Sequence, residues 1–544
     1  MTSDDSSELE AGILAALDAD QAEAAEALSG PTCIIAGAGS GKTRTISHRI
    51  ALGIARGIFT PNRVLALTYT NRAAAELRLR LRQLGAAGVQ VRTFHSAALS
   101  QLQYFWPQLT GERAPKLLTS KYRFLAELAE AQKLRLEESV IRELASEIEW
   151  RKYSFVDLQT YENFNRSISD LSASKVLDLV KKYEEAKLAK KLIDWEDVLL
   201  LCLGMLEAEP RILAHVQSQY RFFTVDEYQD ISPLQQALLD MWLGDRSEIC
   251  VVGDPRQTIY SFSGAASHFL TGFESRYQEA AVINLNRNYR SSQEIVDLAN
   301  RVLLAEPLES QLGQRGDVVV RNFDSESEEI LWIANQVKQL LQSGTAAKEI
   351  AILTRMNYQL DLFEKQLGEQ GIPLQVRGTG KFFHKPEVLH ASAAIRALSL
   401  NNHREPLFIE LSNILSSMGW SSKPQDNQNW ENLNWFIEVL EELGESTELE
   451  DYLRELDERQ RSMHEPIRNA VTLATVHSAK GLEWDAVFLP NLNEGNFPIH
   501  HAESESAIEE ERRLFYVAVT RAKTKLTLSS NSNRPRSQFL SFIR

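Results

Sequence analysis

The sequence predicts an α/β fold in which mostly parallel sheets are flanked by helices and interrupted by helical insertions. Three observations support this prediction. Short apolar runs alternate with helical patterns, as they do in strand–helix–strand units. A glycine-rich loop, residues 37–41, separates the first apolar run from the helix that follows it. The chain has 544 residues, which is enough for three or four domains.

Composition narrows the class of protein. Apolar residues make up 43% of the chain. No apolar run is long enough to span a membrane, which predicts a soluble protein with no membrane partner. The acidic N-terminus shows no signal-peptide pattern. The cysteines are widely spaced, lie in apolar runs and include no Cys-x-x-Cys pair, so we expect reduced core residues in a cytoplasmic protein: Cys33, Cys202 and Cys250.

Charge is distributed unevenly along the chain. The net charge is −15, but the stretch from Pro31 to Ser100 contains ten basic residues and one acidic residue, Glu76. Local positive charge beside the glycine-rich loop would attract a polyanion in spite of the total. An alternative for part of this stretch is a solvated helix face, and it applies to Arg78, Arg80 and Arg82.

The first apolar run leads into a candidate phosphate loop. Cys33–Ala36 reads as a strand, and the loop is followed by Lys42, Thr43 and a helical pattern. Successive backbone N–H groups of such a loop surround a polyphosphate, and the next helix directs its positive end at the same anion. Lys42 would reach the β- and γ-phosphates, and the Thr43 hydroxyl would bind Mg²⁺. Because Ala36 replaces the first glycine of the usual pattern, a chance match remains an alternative for the loop taken alone.

Polar side chains follow the next two predicted strands. Residues 64–71 and 89–96 are apolar runs that end in hydroxyl, amide and aromatic side chains. In a parallel sheet the carboxyl ends of the strands meet at one edge, where ligands bind. Hydroxyls, aromatics and nearby arginines suit a nucleic-acid strand, whose phosphates are bound and whose bases are stacked. The candidates here are Tyr69, Asn71 and His95.

A second group of candidates lies beyond a helical stretch at residues 101–190. The strand pattern resumes before Asp226-Glu227, where Asp226 would hold Mg²⁺ through water and Glu227 would polarise the attacking water. An acidic turn is the alternative for a lone Asp-Glu pair. After the next strand, Gln257 is placed to sense a γ-phosphate or water, and two alternating aromatics offer stacking surfaces, Tyr260 and Phe262.

Three further segments complete an ordered set of motifs: 285–292, 471–484 and 509–522. In this order, from residue 17 to residue 522, the motifs resemble those of the UvrD/Rep/PcrA family of superfamily 1 DNA helicases. The resemblance implies two RecA-like P-loop motor domains with ATP between them, and movement from 3′ to 5′ along single-stranded DNA.

The resemblance also implies roles for individual residues. Gln21 would read adenine, and Tyr289 and Arg44 would sandwich it. Arg290 and Arg521 would be arginine fingers. Glu483 would contact the ribose. The backbone of Ala38, Gly39, Ser40 and Gly41 would bind the phosphates. The expected DNA contacts are Tyr69, Asn71, His95, Tyr260, Phe262, His477 and Phe539.

Two features depart from the family pattern. Ser263 stands where the family usually has arginine, which puts tight coupling between nucleotide state and DNA grip in doubt. The accessory insertion before the motif at 471–484 is reduced to about residues 391–469 and is acidic, and it is therefore a poor surface for a duplex and a better one for a protein partner. No nuclease signature follows the last motif, so the helicase–nuclease branch is unsupported.

The predicted organisation has four parts: a first motor domain at 1–100 and 191–284, a helical insertion at 101–190, a second motor domain at 285–390 and 470–544, and the accessory insertion at 391–469. The expected function is an ATP-dependent DNA helicase in repair or replication restart, which acts on single strands and on single-strand/duplex junctions. Two alternatives remain, a translocase that strips bound proteins and unwinds weakly, and a DNA-dependent scaffold without hydrolysis. Intact Lys42, Glu227, Gln257, Arg290 and Arg521 argue against the scaffold.

Overall fold

The computed structural model divides the chain into two units, Met1–Arg287 and Asn288–Arg544. The part of the first unit that the structure describes contains eight short strands. The structure describes residues 3–164, 166, 168, 171–303, 306–378, 381–400, 405–423, 427–444, 447–461, 466 and 468–543. The strands of the first unit are β1 (Thr32–Ala36), β2 (Val64–Thr68), β3 (Gln90–Thr93), β4 (Lys116–Leu117), β5 (Leu192–Ile193), β6 (Phe222–Val225), β7 (Ile249–Gly253) and β8 (Ala281–Leu285).

Six of these strands form one parallel sheet in the order β3-β2-β6-β7-β1-β8. Its central strands are buried on both faces, since Leu65 and Leu67 belong to one apolar core while Val64 and Ala66 belong to the core on the opposite side. Helices cover both faces because a parallel sheet with two apolar faces requires two layers of cover. The carboxyl ends of β1, β2, β6 and β7 therefore share one edge of the sheet.

The helices of the first unit follow the predicted alternation with strands. They are α1 (Ser3–Ala15), α2 (Ala19–Glu26), α3 (Lys42–Ala55), α4 (Asn71–Gln83), α5 (Phe94–Thr110), α6 (Lys121–Ala131), α7 (Glu138–Tyr153), α8 (Ala173–Ala189), α9 (Trp195–Ala208), α10 (Pro210–Gln219), α11 (Pro233–Leu243), α12 (His268–Thr271) and α13 (Phe273–Arg276).

The third strand is shorter than the sequence pattern suggested. β3 ends at Thr93, whose side-chain oxygen accepts a hydrogen bond from the Ser96 backbone N–H. In return the Ser96 hydroxyl oxygen accepts from the Thr93 backbone N–H, and the hydroxyl donates to the Thr93 carbonyl oxygen. This reciprocal cap begins α5, so His95 lies on the first turn of a helix and not at the end of a strand. The predicted boundary of the helical insertion at residue 101 falls inside α5, and the inner face of α5 packs on the sheet through Leu102 and Phe105.

The helical insertion has an apolar core of its own, built from α6, α7, α8 and the segments between them. A buried ion cluster connects this insertion to α9. The Asp194 carboxylate accepts hydrogen bonds from Lys152 Nζ at 2.7 Å and Lys187 Nζ at 2.8 Å. Burial alone would raise the pKa of Asp194, but the ammonium groups of Lys152, Lys121 and Lys187 hold it well below its usual range. A buried charge of this kind tolerates only an arrangement in which its partners are in place, so the cluster fixes how α7 and α8 meet α9.

The second unit repeats the architecture with a different connectivity. After the two-residue strand β9 (Arg287–Asn288) its strands are β10 (Glu309–Ser310), β11 (Asp317–Phe323), β12 (Ile350–Thr354), β13 (Leu374–Val376), β14 (Val471–Thr475), β15 (Trp484–Leu489) and β16 (Ala522–Asn531). Six of them form a parallel sheet in the order β11-β16-β15-β12-β14-β13.

The helices of the second unit divide between this sheet and a separate helical core. They are α14 (Gln293–Val302), α15 (Glu326–Gln342), α16 (Asn357–Glu369), α17 (Pro386–Ala397), α18 (Leu407–Ser417), α19 (Gln428–Leu443), α20 (Leu449–Arg461) and α21 (Glu505–Val519). The α17–α20 core extends from Phe382 to Leu456, so the predicted boundary at residue 391 falls inside α17.

The structure confirms the predicted fold class, two α/β units with mostly parallel sheets and helical insertions. The three cysteines are buried and unpaired, in agreement with their expected role as core residues. Among the residues that the structure describes, no helix is both long enough and apolar enough to cross a membrane. The division into four domain ranges stays a prediction.

Candidate functional site

The glycine-rich loop lies between β1 and α3, where the sequence predicted it. Gly39 and Gly41 both adopt positive φ, +70° and +84°, which favours glycine at these two positions. Ala36 is the last residue of β1 and is fully buried, so its position needs no glycine and its methyl group packs in the core. The departure from the usual loop pattern is therefore compatible with the loop conformation.

Side chains from both flanks hold this loop. Lys42 begins α3, and its Nζ donates to Ala36 O at 3.1 Å and to Gly37 O at 3.5 Å. The Ser40 hydroxyl donates to Gly37 O at 2.8 Å, and the half-buried Thr43 is the second residue of α3. Lys42 thus lies across the mouth of the loop, with an ammonium group that an anion would draw away from these carbonyls.

Gln21 contacts the loop directly. It lies on α2, is 2% exposed, and donates from Nε2 to Ser40 O at 2.9 Å. A Cβ on Gly41 would come within 2.7 Å of Gln21 Nε2, so the glycine makes room for the glutamine. Arg44, on the exposed side of α3, donates to Ala16 O. The structure therefore brings two predicted adenine-binding side chains to the phosphate loop of their own unit.

The acidic pair follows β6 at the same edge of the sheet. Asp226 is 6% exposed and its backbone N–H donates to Leu67 O at 2.8 Å. Burial, together with the adjacent Glu227 carboxylate, raises the pKa of Asp226 to about 7, against the opposing effect of Lys42. Two adjacent carboxylates with little access to water repel each other, and a divalent cation bound between them would offset their negative charge. Asp226 and the hydroxyl of Thr43 are the two groups that the sequence predicted for such an ion.

Glu227 is positioned by groups that sequence reasoning missed. It has a φ of +52°, in the left-handed region, and its carboxylate accepts a hydrogen bond from Gln229 Nε2. Gln229 is fully buried, and its Oε1 accepts from the backbone N–H of Asp254 at 3.0 Å. A Cβ on Gly253 would lie 2.5 Å from this oxygen, so the glycine at the end of β7 admits the amide. Gln229 thus joins the end of β6 to the turn after β7.

The turn after β7 carries Gln257. The Asp254 carboxylate accepts from Gln257 Nε2 at 2.9 Å and from Arg256 Nε at 2.7 Å. Gln257 is 4% exposed, so in this arrangement its amide is held by Asp254. A chain of hydrogen bonds therefore runs from Glu227 through Gln229 and the Asp254 backbone to Gln257. The two glutamines and the aspartate are spaced irregularly in the sequence, and only their contact reveals the connection.

An aromatic surface lies just beyond that turn. Tyr260 and Tyr69 stack with ring centroids 5.5 Å apart at an interplanar angle of 15°. Phe262 lies 6.2 Å from Tyr260 and is 55% exposed, and Tyr69 is 40% exposed. Asn71 begins α4, two residues after Tyr69. This arrangement offers flat apolar faces to solvent next to a polar helix start.

His95 lies deeper on the same side of the sheet. Its Nε2 is 3.1 Å from the Tyr153 hydroxyl, and its ring meets the edge of Trp195, with centroids 5.7 Å apart. Burial, with Lys121 close by, lowers the pKa of His95 to about 4, so the imidazole is neutral at pH 7. Tyr153 and Trp195 were missed because nothing in their local sequence shows that they contact His95.

In the second unit three predicted nucleotide-binding residues lie together. Arg290 donates to the Glu483 carboxylate, and Lys523 Nζ lies 3.4 Å from the same group. Burial raises the pKa of Glu483, but these two cations more than offset it and keep the carboxyl ionised. Arg521 is 1% exposed and donates to Val517 O at 2.9 Å. Tyr289, which precedes Arg290, is 41% exposed.

His477 follows β14 in the second unit. Burial, followed by the charges of Arg355 and Lys480, lowers the pKa of His477 to about 3. Arg355, at the end of β12, forms a bidentate ion pair with Glu511 in which Nη2 lies 2.7 Å from Oε1. Sequence reasoning missed Arg355, which the parallel pairing of β12 with β14 places beside the histidine.

The prediction of a DNA contact for Phe539 needs correction. Its side chain is 1% exposed and packs among Phe497, Phe515 and Phe542. A ring that is enclosed by three others has no face to offer a base. Phe539 is a core residue of the second unit.

Comparison with known proteins identifies relatives along nearly the whole chain. The family model for the UvrD/REP helicase N-terminal domain matches residues 17–278, and the model for the UvrD-like helicase C-terminal domain matches residues 283–421 and 405–533. The chain is 40% identical over 551 residues to the "ATP-dependent DNA helicase UvrD2" of Mycobacterium tuberculosis (strain ATCC 25618 / H37Rv), which covers 95% of this chain and 79% of the relative. It is 26% identical over 612 residues to the "ATP-dependent DNA helicase PcrA" of Staphylococcus epidermidis (strain ATCC 12228 / FDA PCI 1200), a match that covers 95% of this chain and 84% of the relative. It is 27% identical over 620 residues to the "ATP-dependent DNA helicase PcrA" of Leuconostoc citreum, a match that covers 94% of this chain and 82% of the relative.

Proposed function

Because this chain belongs to the UvrD/REP helicase family, we propose that it is an ATP-dependent DNA helicase that moves 3′ to 5′ along single-stranded DNA. The observation that carries the proposal is the shared edge of the first sheet. The phosphate loop, the acidic pair and the stacked Tyr69–Tyr260 surface all follow the carboxyl ends of its strands. The direction of movement rests on the resemblance alone.

Hydrolysis of ATP would use the residues at that edge. The loop backbone from Ala38 to Gly41 would bind the phosphates, and Lys42 would offset their charge. Mg²⁺, held by Thr43 and Asp226, would neutralise charge on the β- and γ-phosphates. Glu227, held in orientation by Gln229, would accept a proton from the attacking water as it approaches phosphorus. Gln257 would form a hydrogen bond with the γ-phosphate, so that the presence of this phosphate changes the contacts of the turn that leads to Tyr260.

The remaining nucleotide contacts are proposed from the resemblance. Gln21 would read the adenine edge, since its amide is both donor and acceptor, and Arg44 and Tyr289 would sandwich the ring. Glu483 would bind the ribose. Arg290 and Arg521 would stabilise charge on the transferred phosphoryl group. Arg290 and Glu483 bind each other in this structure, so Arg290 would exchange this carboxylate for the phosphoryl group.

The DNA contacts proposed for the first unit are Tyr69, Asn71, His95, Tyr260 and Phe262, and His477 is the one proposed for the second. Exposed rings suit bases, which stack on aromatics with little dependence on sequence. The substrates would be single strands and single-strand/duplex junctions, in repair or replication restart in the cytoplasm.

A second candidate function is the displacement of bound proteins with weak unwinding. The observation that favours it is the acidic surface of the accessory insertion. On α19 and α20 and in the segment between them the exposed side chains include seven carboxylates: Glu431, Glu438, Glu441, Glu442, Glu448, Glu450 and Asp451. Such a surface repels the duplex backbone. Residues 391–469 would instead dock a protein partner.

Removal of either catalytic group is expected to abolish turnover. Lys42→Ala removes the charge on the phosphates, and Glu227→Gln removes the base while retaining its shape, so the second variant should still bind ATP. The measurement is ATP hydrolysis with and without single-stranded DNA, with nucleotide binding assayed separately. Glu112→Gln, at an exposed ion pair with Lys191, serves as the control. Turnover by Glu227→Gln within a few-fold of wild type would remove Glu227 from the catalytic role.

Gln229→Met is expected to lower the DNA-stimulated kcat by about 10- to 100-fold. Methionine cannot donate the hydrogen bond that orients the Glu227 carboxylate toward the attacking water. The KM for ATP and the affinity for single-stranded DNA should change little. The matched control is Gln236→Met, because Gln236 is also buried and accepts a hydrogen bond from Tyr228 Oη at 2.7 Å without contacting Glu227. Equal losses of kcat in the two variants would show that Gln229 only fills the core.

Tyr260→Ala is expected to weaken single-strand binding by about 1–3 kcal/mol, the cost of one lost base stack. ATP hydrolysis without DNA should be nearly unchanged. The measurement is equilibrium binding of a labelled oligothymidylate, and Tyr104→Ala, at an exposed tyrosine that stacks on His215, is the control. Wild-type affinity in Tyr260→Ala would assign the ring to packing.

The acidic accessory insertion leads to an expectation about unwinding. The purified monomer should hydrolyse ATP and translocate on single strands but separate long duplexes poorly, because the insertion cannot grip the duplex. Strand separation and single-strand ATPase are compared at one salt concentration. Efficient unwinding of long duplexes that persists after deletion of residues 421–465 would contradict the expectation.

A further inference from the structure

The C-terminus of α7 is closed by a backbone turn that normally favours glycine. After the last helical residue, Tyr153, the chain passes through Ser154 to Phe155, which has a φ of +59°. The Phe155 N–H donates to Lys152 O at 3.0 Å, and the Val156 N–H donates to Arg151 O at 2.9 Å. This pair of hydrogen bonds places Phe155 at the left-handed position after the helix cap.

The other helices of this chain show what that position usually holds. The residue after the cap is a glycine with positive φ at the ends of α3, α4, α15, α16 and α18. Two further helices, α6 and α8, use Lys133 and Lys191, whose exposed side chains are charged. Phe155 is the one apolar side chain among these eight described positions. A bulky Cβ-bearing residue is strained there, and a phenyl ring gains little from water.

Phe155 is exposed, and it follows two residues that contact the turn of the proposed DNA surface. Its side chain is 55% exposed. The preceding residues contact the turn that carries Phe262: a Cβ on Gly264 would lie 3.0 Å from Tyr153 Cβ and 3.2 Å from Ser154 Oγ. Tyr153 in turn contacts His95. Consecutive Cα atoms are about 3.8 Å apart, so the backbone of Phe155 lies directly beside Ser154, which contacts this turn.

We propose that Phe155 is a further base-stacking residue, supplied by the helical insertion to the single-stranded DNA that lies across Tyr260 and Phe262. The proposal rests on the proposed function. It explains why an exposed phenyl ring occupies a position whose backbone favours glycine and whose surroundings favour a polar side chain. The ligand is an unpaired base of any sequence, since every base has a flat face that stacks on a phenyl ring.

The test exploits the fact that a structural role and a binding role predict opposite results for Phe155→Gly. Glycine relieves the strained backbone, so the melting temperature should stay at or rise above that of wild type, as it should for Lys133→Gly at the equivalent position. Affinity for a labelled oligothymidylate should nevertheless fall about 5- to 150-fold. Phe155→Trp, which retains a flat ring, should restore binding to within a few-fold of wild type.

Two further measurements separate stacking from other forms of binding. The probe is a series of oligonucleotides, each with 2-aminopurine, a fluorescent adenine analogue, at a different position. One position in the series should change its fluorescence on binding to the wild-type protein and not on binding to Phe155→Gly. The slope of log affinity against log salt should be the same for both proteins, because a phenyl ring neutralises no phosphate.

Tyr260→Ala distinguishes failure of this inference from failure of the proposed function. If Tyr260→Ala weakens binding and Phe155→Gly does not, Phe155 is not a DNA contact and the aromatic surface stands. If neither variant weakens binding, the surface itself is not the single-strand site. A fall in melting temperature for Phe155→Gly, without one for Lys133→Gly, would make Phe155 a packing residue and overturn the inference.

Discussion

Strands that pair in parallel and are buried on both faces determine where this protein can place its polar groups. Leu65 and Ala66 point into opposite apolar cores, so a central strand has no free face for chemistry. Polar groups must therefore follow the strands, and parallel order brings all the carboxyl ends to one edge. The phosphate loop after β1 and the acidic pair after β6 lie together for this reason, although about 190 residues separate them in the chain.

At that edge, buried hydrogen bonds connect elements that the backbone leaves separate. Gln229 joins the carboxylate of Glu227 to the backbone of Asp254, and the Asp254 side chain holds Gln257. Three residues beyond Gln257, Tyr260 stacks on Tyr69. Each buried amide here would lose a hydrogen-bond partner if its neighbour moved, so these hydrogen bonds hold the ends of β6 and β7 in register. The same hydrogen bonds place the turn that leads to Tyr260 three residues from a side chain connected to Glu227.

Within the first unit, charge as well as apolar packing holds the helical insertion to α9. The Asp194 carboxylate, 3% exposed, lies between the ammonium groups of Lys152 and Lys187. Because an unpaired buried charge is strongly unfavourable, α7 and α8 can take only the arrangement that pairs it. That arrangement also sets the end of α7, and with it Tyr153 and Ser154, beside the Gly264 turn. The insertion thereby contributes side chains to a surface whose other members come from the sheet.

The fold class, the phosphate loop and the order of motifs could be predicted from the amino-acid sequence, because each depends on local spacing. The signals are apolar runs of strand length, glycines at fixed offsets, and a lysine and a threonine at a helix start. The sequence also marked Tyr69 and Tyr260, which follow strands. Contacts between distant segments became visible in the folded structure. It showed the burial of Phe539 among three rings, the Arg290–Glu483 ion pair and the anchoring of Glu227 by Gln229. A lone glutamine or phenylalanine carries no local signal of its environment, since burial and hydrogen-bond partners arise when helices and strands pack.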